Sequence, residues 1–127
     1  MKTTSQLIQE LQILFNSYIR LRDAGKGCIC CGAHFTDAGH CFKVSTHPEL
    51  RFDEMNAAGQ CRGCNSEHDG SFESFRWGII ARYGNATWAM LELSAEASNN
   101  RDFKWSRSEL IEKIAYYKKE VKRLKKS

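Results

Sequence analysis

Apolar residues recur at helical spacing towards both ends of the chain and lose that rhythm in the middle. Leu7, Ile8, Leu11, Leu14, Phe15, Tyr18 and Ile19 share one face of a helix that Thr4 or Ser5 can cap and that ends near residue 24 or 25. Across residues 27–60 the periodicity breaks, with Gly27, Gly32, Gly39, Pro48 and Gly59 marking turns. Only short strands are predicted there, at residues 41–44 and 50–53, joined by a Ser45-Thr46-His47-Pro48 loop. A second helix is predicted from the Cys61-Arg62-Gly63-Cys64 stretch through Phe72, Phe75, Ile79 and Ile80, with Gly84 as its stop. Asn85 caps a third helix over residues 85–97, with Trp88, Leu91 and Leu93 inward, and residues 98–100 form a loop. Ser106-Arg107-Ser108-Glu109 is a capping box that opens a last helix to about residue 126. Its Leu110, Ile114, Tyr117, Val121 and Leu124 alternate steps of four and three, as in a coiled-coil seam, but over two heptads only.

This order of elements predicts one α+β domain over residues 1–127, mostly helical. It comprises an N-terminal helix (1–25), a central core (26–84) and C-terminal helices with a basic tail (85–127). No run of about 18 apolar residues is present, and the N-terminus lacks the apolar stretch of a secretory signal, so a soluble intracellular protein with no membrane partner is expected. The formal net charge is +4, and its distribution changes the picture. Residues 101–127 hold ten Lys and Arg against four Asp and Glu, so the remainder is net acidic. A basic terminal helix can supply phosphate contacts, here Lys118, Lys122 and Arg123, or can simply be a solvated helix end.

Six cysteines in a reducing compartment are read as metal ligands before disulfides when they fall in Cys-x-x-Cys pairs. Two such pairs are present, Cys28/Cys31 and Cys61/Cys64, and together they complete a closed tetrahedral zinc site whose role is structural. Gly32 and Gly63 suit knuckles that fold the backbone back towards the sulfurs. Cys30 and Cys41 have no partner at the right spacing and are expected to be small buried hydrophobes.

Between and just after these pairs lie Asp37, Gly39, His40, Asn56, Asn65 and His68. His40 precedes Asn56 by sixteen residues, Asn56 precedes Cys61 by five, and the second pair opens a helix. This pattern resembles the HNH nucleases, whose ββα-metal core carries the histidine at the end of its first strand. Cys28-Ile29-Cys30-Cys31-Gly32, Ala38-Gly39-His40, Pro48-Glu49-Leu50-Arg51-Phe52, Asn56 and Gln60-Cys61-Arg62-Gly63-Cys64-Asn65 together are similar to the NinG/Rap recombination proteins of lambdoid phages. Arg20-Leu21-Arg22-Asp23-Ala24-Gly25 and Tyr83-Gly84 fit the same resemblance. It implies a zinc-stabilised HNH-like core in a phage- or prophage-encoded protein of the bacterial cytoplasm. The implied activity is structure-specific cleavage of branched DNA such as Holliday junctions and D-loops.

The chemistry stands beside the resemblance. Phosphodiester hydrolysis needs a base to activate water, a cation to offset charge on the phosphate, and help for the leaving oxygen. Neutral His40 suits the base, since imidazole titrates near physiological pH. By the family's pattern Asn56 fixes the loop that aims it, and the residue before the base is an acidic or histidine ligand. Here that residue is Gly39, so Asp37 and His68, with Asn65 and Asp69 in reserve, are the candidate ligands for Mg²⁺ or Mn²⁺. Arg51, Arg62, Arg76 and Arg82 can clamp phosphates, as can Arg20, Arg22 and Lys26 at the end of the first helix; Glu49 can orient His40 or face water. The alternative reading is a non-catalytic zinc-ribbon DNA-binding module. A third is a protein-interaction module anchored by Trp77, Trp88 or Trp105. Paired cuts in a two-fold substrate predict a homodimer built through the first or last helix.

Overall fold

In the computed structural model, residues 1–98 and 102–127 are described. Asn99 and Asn100 of the expected loop lie outside them. Helix α1 spans Thr4–Arg22, with Thr3 rather than Thr4 or Ser5 as cap, because Gln6 completes a capping box with it. Strands β1 (Asp37–His40) and β2 (Ala57–Gln60) pair antiparallel, Asp37 opposite Gln60 and His40 opposite Ala57. Helices α2 (Arg62–Ser66), α3 (His68–Tyr83), α4 (Asn85–Ala97) and α5 (Arg107–Lys125) follow. The result is a mixed, helix-dominated fold around a small two-stranded sheet. No described helix is long and apolar enough to cross a membrane.

The sheet lies between two apolar clusters. Leu7, Leu11, Phe15, Tyr18 and Ile19 of α1 pack on Leu110, Ile114, Tyr117 and Val121 of α5, with Phe52 and Ala57 closing that cluster. Phe75 and Ile79 of α3 and Trp88, Leu91 and Ala95 of α4 form the other, with Ile29, Cys41, Leu50 and Ala58. Successive residues of a strand face opposite sides, and so Ala57 joins the first cluster while Ala58 joins the second. The apolar seam of α5 therefore meets α1 of the same chain.

Three predicted elements move. The strands are not at 41–44 and 50–53, because beyond His40 the chain leaves the ladder. Phe42 gives its N–H to the Asn56 side chain and its carbonyl receives the Asn56 amide, at 2.8 and 3.1 Å. Residues 48–50 instead form a single 3₁₀ turn that Pro48 opens, and residues 54–56 form another. The second helix is broken at Glu67 (φ −102°, ψ 51°), where the Ser71 hydroxyl takes the Cys64 carbonyl at 2.9 Å. Asn85 is the first residue of α4 rather than its cap, and Leu93 points to solvent at 61% exposure. The last helix and its Ser106–Glu109 capping box are as predicted.

One buried ion pair joins α1 to the sheet and to α3. Asp23 is fully buried and holds Arg22 through two hydrogen bonds of 2.8 and 3.0 Å while accepting the Gly59 N–H at 2.8 Å. Arg22 in turn donates to the Glu54 and Ala57 carbonyls, and Arg82 donates to the Lys26 and Gly27 carbonyls. Arg22 and Arg82 are thus framework residues, engaged with protein rather than placed for a phosphate.

Candidate functional site

The first knuckle is a tight turn in which the Cys28 N–H reaches the Ala33 carbonyl and the Gly32 N–H reaches the Cys28 carbonyl, at 2.7 and 2.9 Å. Gly32 takes φ +79°, which a side chain would resist. Gly63 does not share that reason: it sits within α2 at an ordinary φ, with open space where a Cβ would stand. The second knuckle is the start of α2, where Cys61 is the cap and its sulfur accepts the Cys64 N–H. The Ile29 N–H donates to the Gly59 carbonyl at 3.0 Å, tying the first knuckle to β2.

The sulfurs of Cys28, Cys31, Cys61 and Cys64 all lie within 4.8 Å of one another, and Cys31 and Cys61 are 3.8 Å apart. A tetrahedron with arms of about 2.3 Å has edges of about 3.8 Å, so the four sulfurs could hold one structural metal ion such as zinc. Burial pushes the Cys28 thiol up, but surrounding N–H donors outweigh it and bring it down to about 7. The neighbouring Cys61 sulfur drives Cys64 upward. Thiolates so close together cannot all ionise unless a cation balances them, which is what a closed metal site supplies. Cys41 is buried, and burial raises its thiol to about 12; Cys30 is half-buried, its sulfur accepting the Gln60 amide at 3.3 Å.

At the other end of β1 an open cleft of about 500 Å³ is bounded by Gln12 and Asn16 of α1, Gly39 and His40, Lys43, Arg51, Asn65 and His68. Ala38 and His40 share a strand face, which sets the His40 ring nearly parallel to Phe15 of α1, 6.3 Å away. His40 Nε2 lies 2.9 Å from the Arg51 carbonyl oxygen. A carbonyl only accepts, so Nε2 carries the proton and Nδ1 of the neutral ring keeps its lone pair. Nδ1 has no hydrogen bond among the described residues and is not among the buried unpartnered atoms. Burial lowers the His40 pKa, the Arg51 carbonyl opposes that shift, and the Arg51 and His68 charges reinforce it. Glu49 makes no hydrogen bond to His40; the Arg51 carbonyl aims the ring instead.

Asn56 is fully buried. Its side chain accepts from Phe42 N–H and donates to the Phe42 and Leu50 carbonyls, while its own carbonyl accepts the Cys41 N–H at 2.8 Å. It thereby ties both ends of the segment between His40 and Arg51. Asp37 accepts from Asn65 Nδ2 at 3.2 Å, from Thr36 and from Arg62; the Asn65 bond leads in lowering its pKa. His68 donates from Nε2 to the His40 carbonyl at 3.0 Å, leaving Nδ1 buried without a hydrogen bond among the described residues and 3.7 Å from Asp69. Lys43 pairs with Asp69 at 2.8 Å.

The proposed phosphate contacts divide. Arg51 lines the cleft, with its Nε held by Gln12 Oε1 at 2.7 Å, and exposed Arg62, which does not line it, pairs with Asp37. Arg76 stacks on Trp77 and Trp88 away from it. Lys118 pairs with Glu10, which stands about 200° around α1 from Gln12 and so on the opposite flank. Arg123 chelates Glu120 with bonds of 3.0 and 2.9 Å, and Lys122 is exposed on the same helix. Arg20 and Lys26 border a separate cleft with His34 and Phe35. Of the tryptophans, Trp88 is buried, Trp105 packs on Phe52 and Trp77 is 59% exposed.

Sequence reasoning missed Gln12, Asn16 and Lys43 in the cleft wall and Gln60 beneath it. The only trace of the first two is a polar i, i+4 pair flanking the buried stripe of α1, joined by a 2.8 Å hydrogen bond.

Comparison with known proteins agrees with the sequence resemblance at the level of family. The chain matches the family described as Bacteriophage Lambda NinG protein over residues 1–127. A NinG protein of Escherichia phage 933W is 33% identical over 130 aligned residues, covering 100% of this chain and 62% of the relative. Those of Salmonella phage P22 and Escherichia phage lambda are 33% and 32% identical, with 62% and 61% of their lengths covered. The chain thus spans about three-fifths of the curated relatives it matches. No solved structure matches it. Since the family match runs from the first residue to the last, this chain belongs to the NinG family.

Proposed function

We propose that the chain is an HNH-type, structure-specific DNA endonuclease that hydrolyses a phosphodiester in branched recombination intermediates, Holliday junctions and D-loops among them. The observation that carries the reading is His40: its Nε2–H is fixed on the Arg51 carbonyl, and its Nδ1 lone pair stays free beside an open, polar cleft. A neutral imidazole in that state accepts a proton from water as the oxygen attacks phosphorus and the bond to the 3′ oxygen breaks. A base pinned through one nitrogen is oriented before substrate arrives.

The order β1, β2, α2, with His40 ending the first strand and Asn56 preceding the second, supports an HNH-like ββα core. Asn56 holds the segment that presents the Arg51 carbonyl, which makes it a positioning residue. Asn65 and His68 line the cleft, Asp37 is hydrogen-bonded to Asn65 beside it, and together these residues would hold a divalent ion. When bound, Mg²⁺ or Mn²⁺ offsets charge on the scissile phosphate and the leaving oxygen. Gln12, Asn16, Lys43 and Arg51 face the same space and suit a phosphate backbone, with exposed Arg62 paired to Asp37. Lys118, Lys122 and Arg123 would meet a different arm of the DNA, given their place beyond α1.

Paired cuts call for a homodimer. Since α1 and α5 bury their apolar stripes in each other, the contact would use other faces of those helices. The proposed place of action is the cytoplasm of the bacterial host. The test is cleavage of a synthetic four-way junction and a linear duplex with Mg²⁺, Mn²⁺ or chelator, wild type beside His40→Ala. The expected result is junction cleavage lost in His40→Ala, with zinc content and junction binding retained. A His40→Ala protein that cuts at the wild-type rate refutes the reading. Junction binding by wild type without cleavage under any metal favours the zinc-ribbon alternative.

A further inference from the structure

Gly39 stands where the cleft floor meets the sheet, and the space above its Cα is taken by another residue. The Oε1 of Gln60 occupies the place a Cβ at residue 39 would fill, and Asn65 Oδ1 lies 3.1 Å from that point. Gln60 is 2% exposed, and its amide orientation follows from its neighbours. The Cys30 sulfur contacts the Ser71 carbonyl oxygen at 3.8 Å and Gln60 Nε2 at 3.3 Å. A carbonyl only accepts, so the thiol proton points to Ser71 and the sulfur receives the Gln60 N–H. Oε1 must then face the gap at Gly39, where it has no hydrogen-bond partner among the described residues.

A buried amide oxygen left unpaired costs about 1–3 kcal/mol and calls for a cause. Its surroundings hold acceptors in excess. Asn65 gives its N–H to Asp37, and its Oδ1 receives no hydrogen bond among the described residues. The Asp37 carboxylate, which accepts from Asn65, Thr36 and Arg62, lies beside Asn65, and Lys43 is paired with Asp69. Two amide oxygens converging without a donor among the described residues, with a carboxylate beside them, are the ligand chemistry of hard divalent cations.

We infer that Gln60 Oε1 is an oxygen ligand, with Asn65 and Asp37, for the divalent cation of the cleft, reaching it through the opening that Gly39 leaves in β1. The inference rests on the nuclease reading and adds a residue that reading lacks. It also gives Gly39 a reason: any side chain there displaces the ligand.

The test is Mn²⁺ titration of the zinc-loaded protein without DNA, followed by electron paramagnetic resonance, with zinc content and circular dichroism measured on each variant. Gln60→Ala is expected to weaken Mn²⁺ binding by about tenfold or more, the scale of losing a supporting group at a metal site. Gly39→Ser/Gln60→Ala is expected to recover most of it, because the serine hydroxyl would stand close to where Oε1 stands now. Gln60→Glu keeps the size, adds charge, and is expected to bind Mn²⁺ more tightly than wild type. Wild-type affinity in folded, zinc-loaded Gln60→Ala overturns the inference and points to a bound water instead. So does unchanged affinity in Gln60→Glu, which decides the matter where Gln60→Ala fails to fold. If junction cleavage by wild type persists in either case, the nuclease reading survives alone. A wild-type protein that neither binds Mn²⁺ nor cuts overturns both.

Discussion

Replacing Asn56 tests how the candidate base is held. Its side chain satisfies three backbone groups: the Phe42 N–H at 2.8 Å and the Phe42 and Leu50 carbonyls at 3.1 and 3.2 Å. Leucine at this position has nearly the same size and none of the hydrogen-bonding capacity, so those three groups stay desolvated and unpaired. An unsatisfied buried group costs about 1–3 kcal/mol. The Leu50 carbonyl is wholly enclosed and belongs in the middle of that range, whereas the Phe42 groups are half-buried and belong at its foot. The three together come to about 4 kcal/mol, a large share of the stability of a domain of this size. Asn56→Ala should lose less, about 2–3 kcal/mol, because the vacated space offers a water three partners.

The assay is a urea melt in zinc-replete buffer followed by tryptophan fluorescence. At a slope of about 2 kcal/mol per molar urea, Asn56→Leu should move the midpoint down by about 2 M. Glu49→Ala, a residue that makes no bond to His40, should melt within about 0.5 kcal/mol of wild type. If Asn56→Leu falls within 1 kcal/mol of wild type, the segment between His40 and Arg51 is held by something other than this amide, and the account of how His40 is aimed fails.

Three further outcomes follow from the same contacts. The protein should bind one zinc ion per chain, and Cys61→Ser should lose both the ion and cooperative unfolding, while Cys41→Ser should keep the ion; metal analysis beside thermal melts decides this. Burial lowers the His40 pKa from 6.5, so on acidification the unfolded chain takes up this proton first. Stability should then fall as pH drops below 6.5 towards the folded value, and the acidic limb of the cleavage rate should sit below pH 6.5; a limb above 6.5 contradicts the assignment. Asp23→Ala leaves the half-buried Arg22 charge without its partner and should cost about 3–5 kcal/mol in urea melts. Burial pushes Asp23 up, but Arg22 and the Gly59 N–H prevail and hold it below 3.8. Its contribution is therefore present above pH 3.8 and lost as pH falls through the folded value.

The parts of this fold that show in the sequence are those fixed by local chemistry. The cysteine spacing encodes the four-cysteine cluster because two residues between thiols set the width of one turn, and Ser106 with Glu109 encodes a helix start by mutual hydrogen bonding. The strands do not show. Ala57-Ala58-Gly59-Gln60 is buried on both faces, so it lacks the alternation that announces a strand, and its small side chains carry no strand preference. Phe42 and Val44 resemble strand residues, yet the Phe42 ring is drawn out of the ladder to stack on Trp88 at 5.7 Å. Leu93 lies about 200° around α4 from Leu91, off the face that Trp88, Leu91 and Ala95 turn to the core, and so it faces solvent despite its apolar character. The distance from the cysteines singles out His40, which ends β1 and lines the cleft. Its orientation was not legible, because a backbone carbonyl eleven residues away leaves no mark in residue type.

The register of the two strands decides what the four-cysteine cluster contributes. Gln60 pairs with Asp37 at the end next to Cys61, and Ala57 pairs with His40 at the other end, next to Asn56. Three residue steps at about 3.3 Å put about 10 Å of strand between the knuckle and the imidazole, too far for an ion held by the cysteines to touch the reaction proposed at His40. Under the proposed reading a bound zinc would act on His40 mechanically, anchoring one end of the hairpin while Asn56 anchors the other. Replacing zinc by cadmium tests this, because four thiolates accept a softer, larger ion with the same tetrahedral arrangement. Cadmium-loaded protein should keep the wild-type dependence of cleavage on pH and on Mg²⁺, with a rate within about threefold, since the barrier changes by less than about 0.7 kcal/mol when geometry is preserved. A cadmium form that melts like the zinc form yet shifts its pH profile would place the cluster in the chemistry and remove the mechanical account.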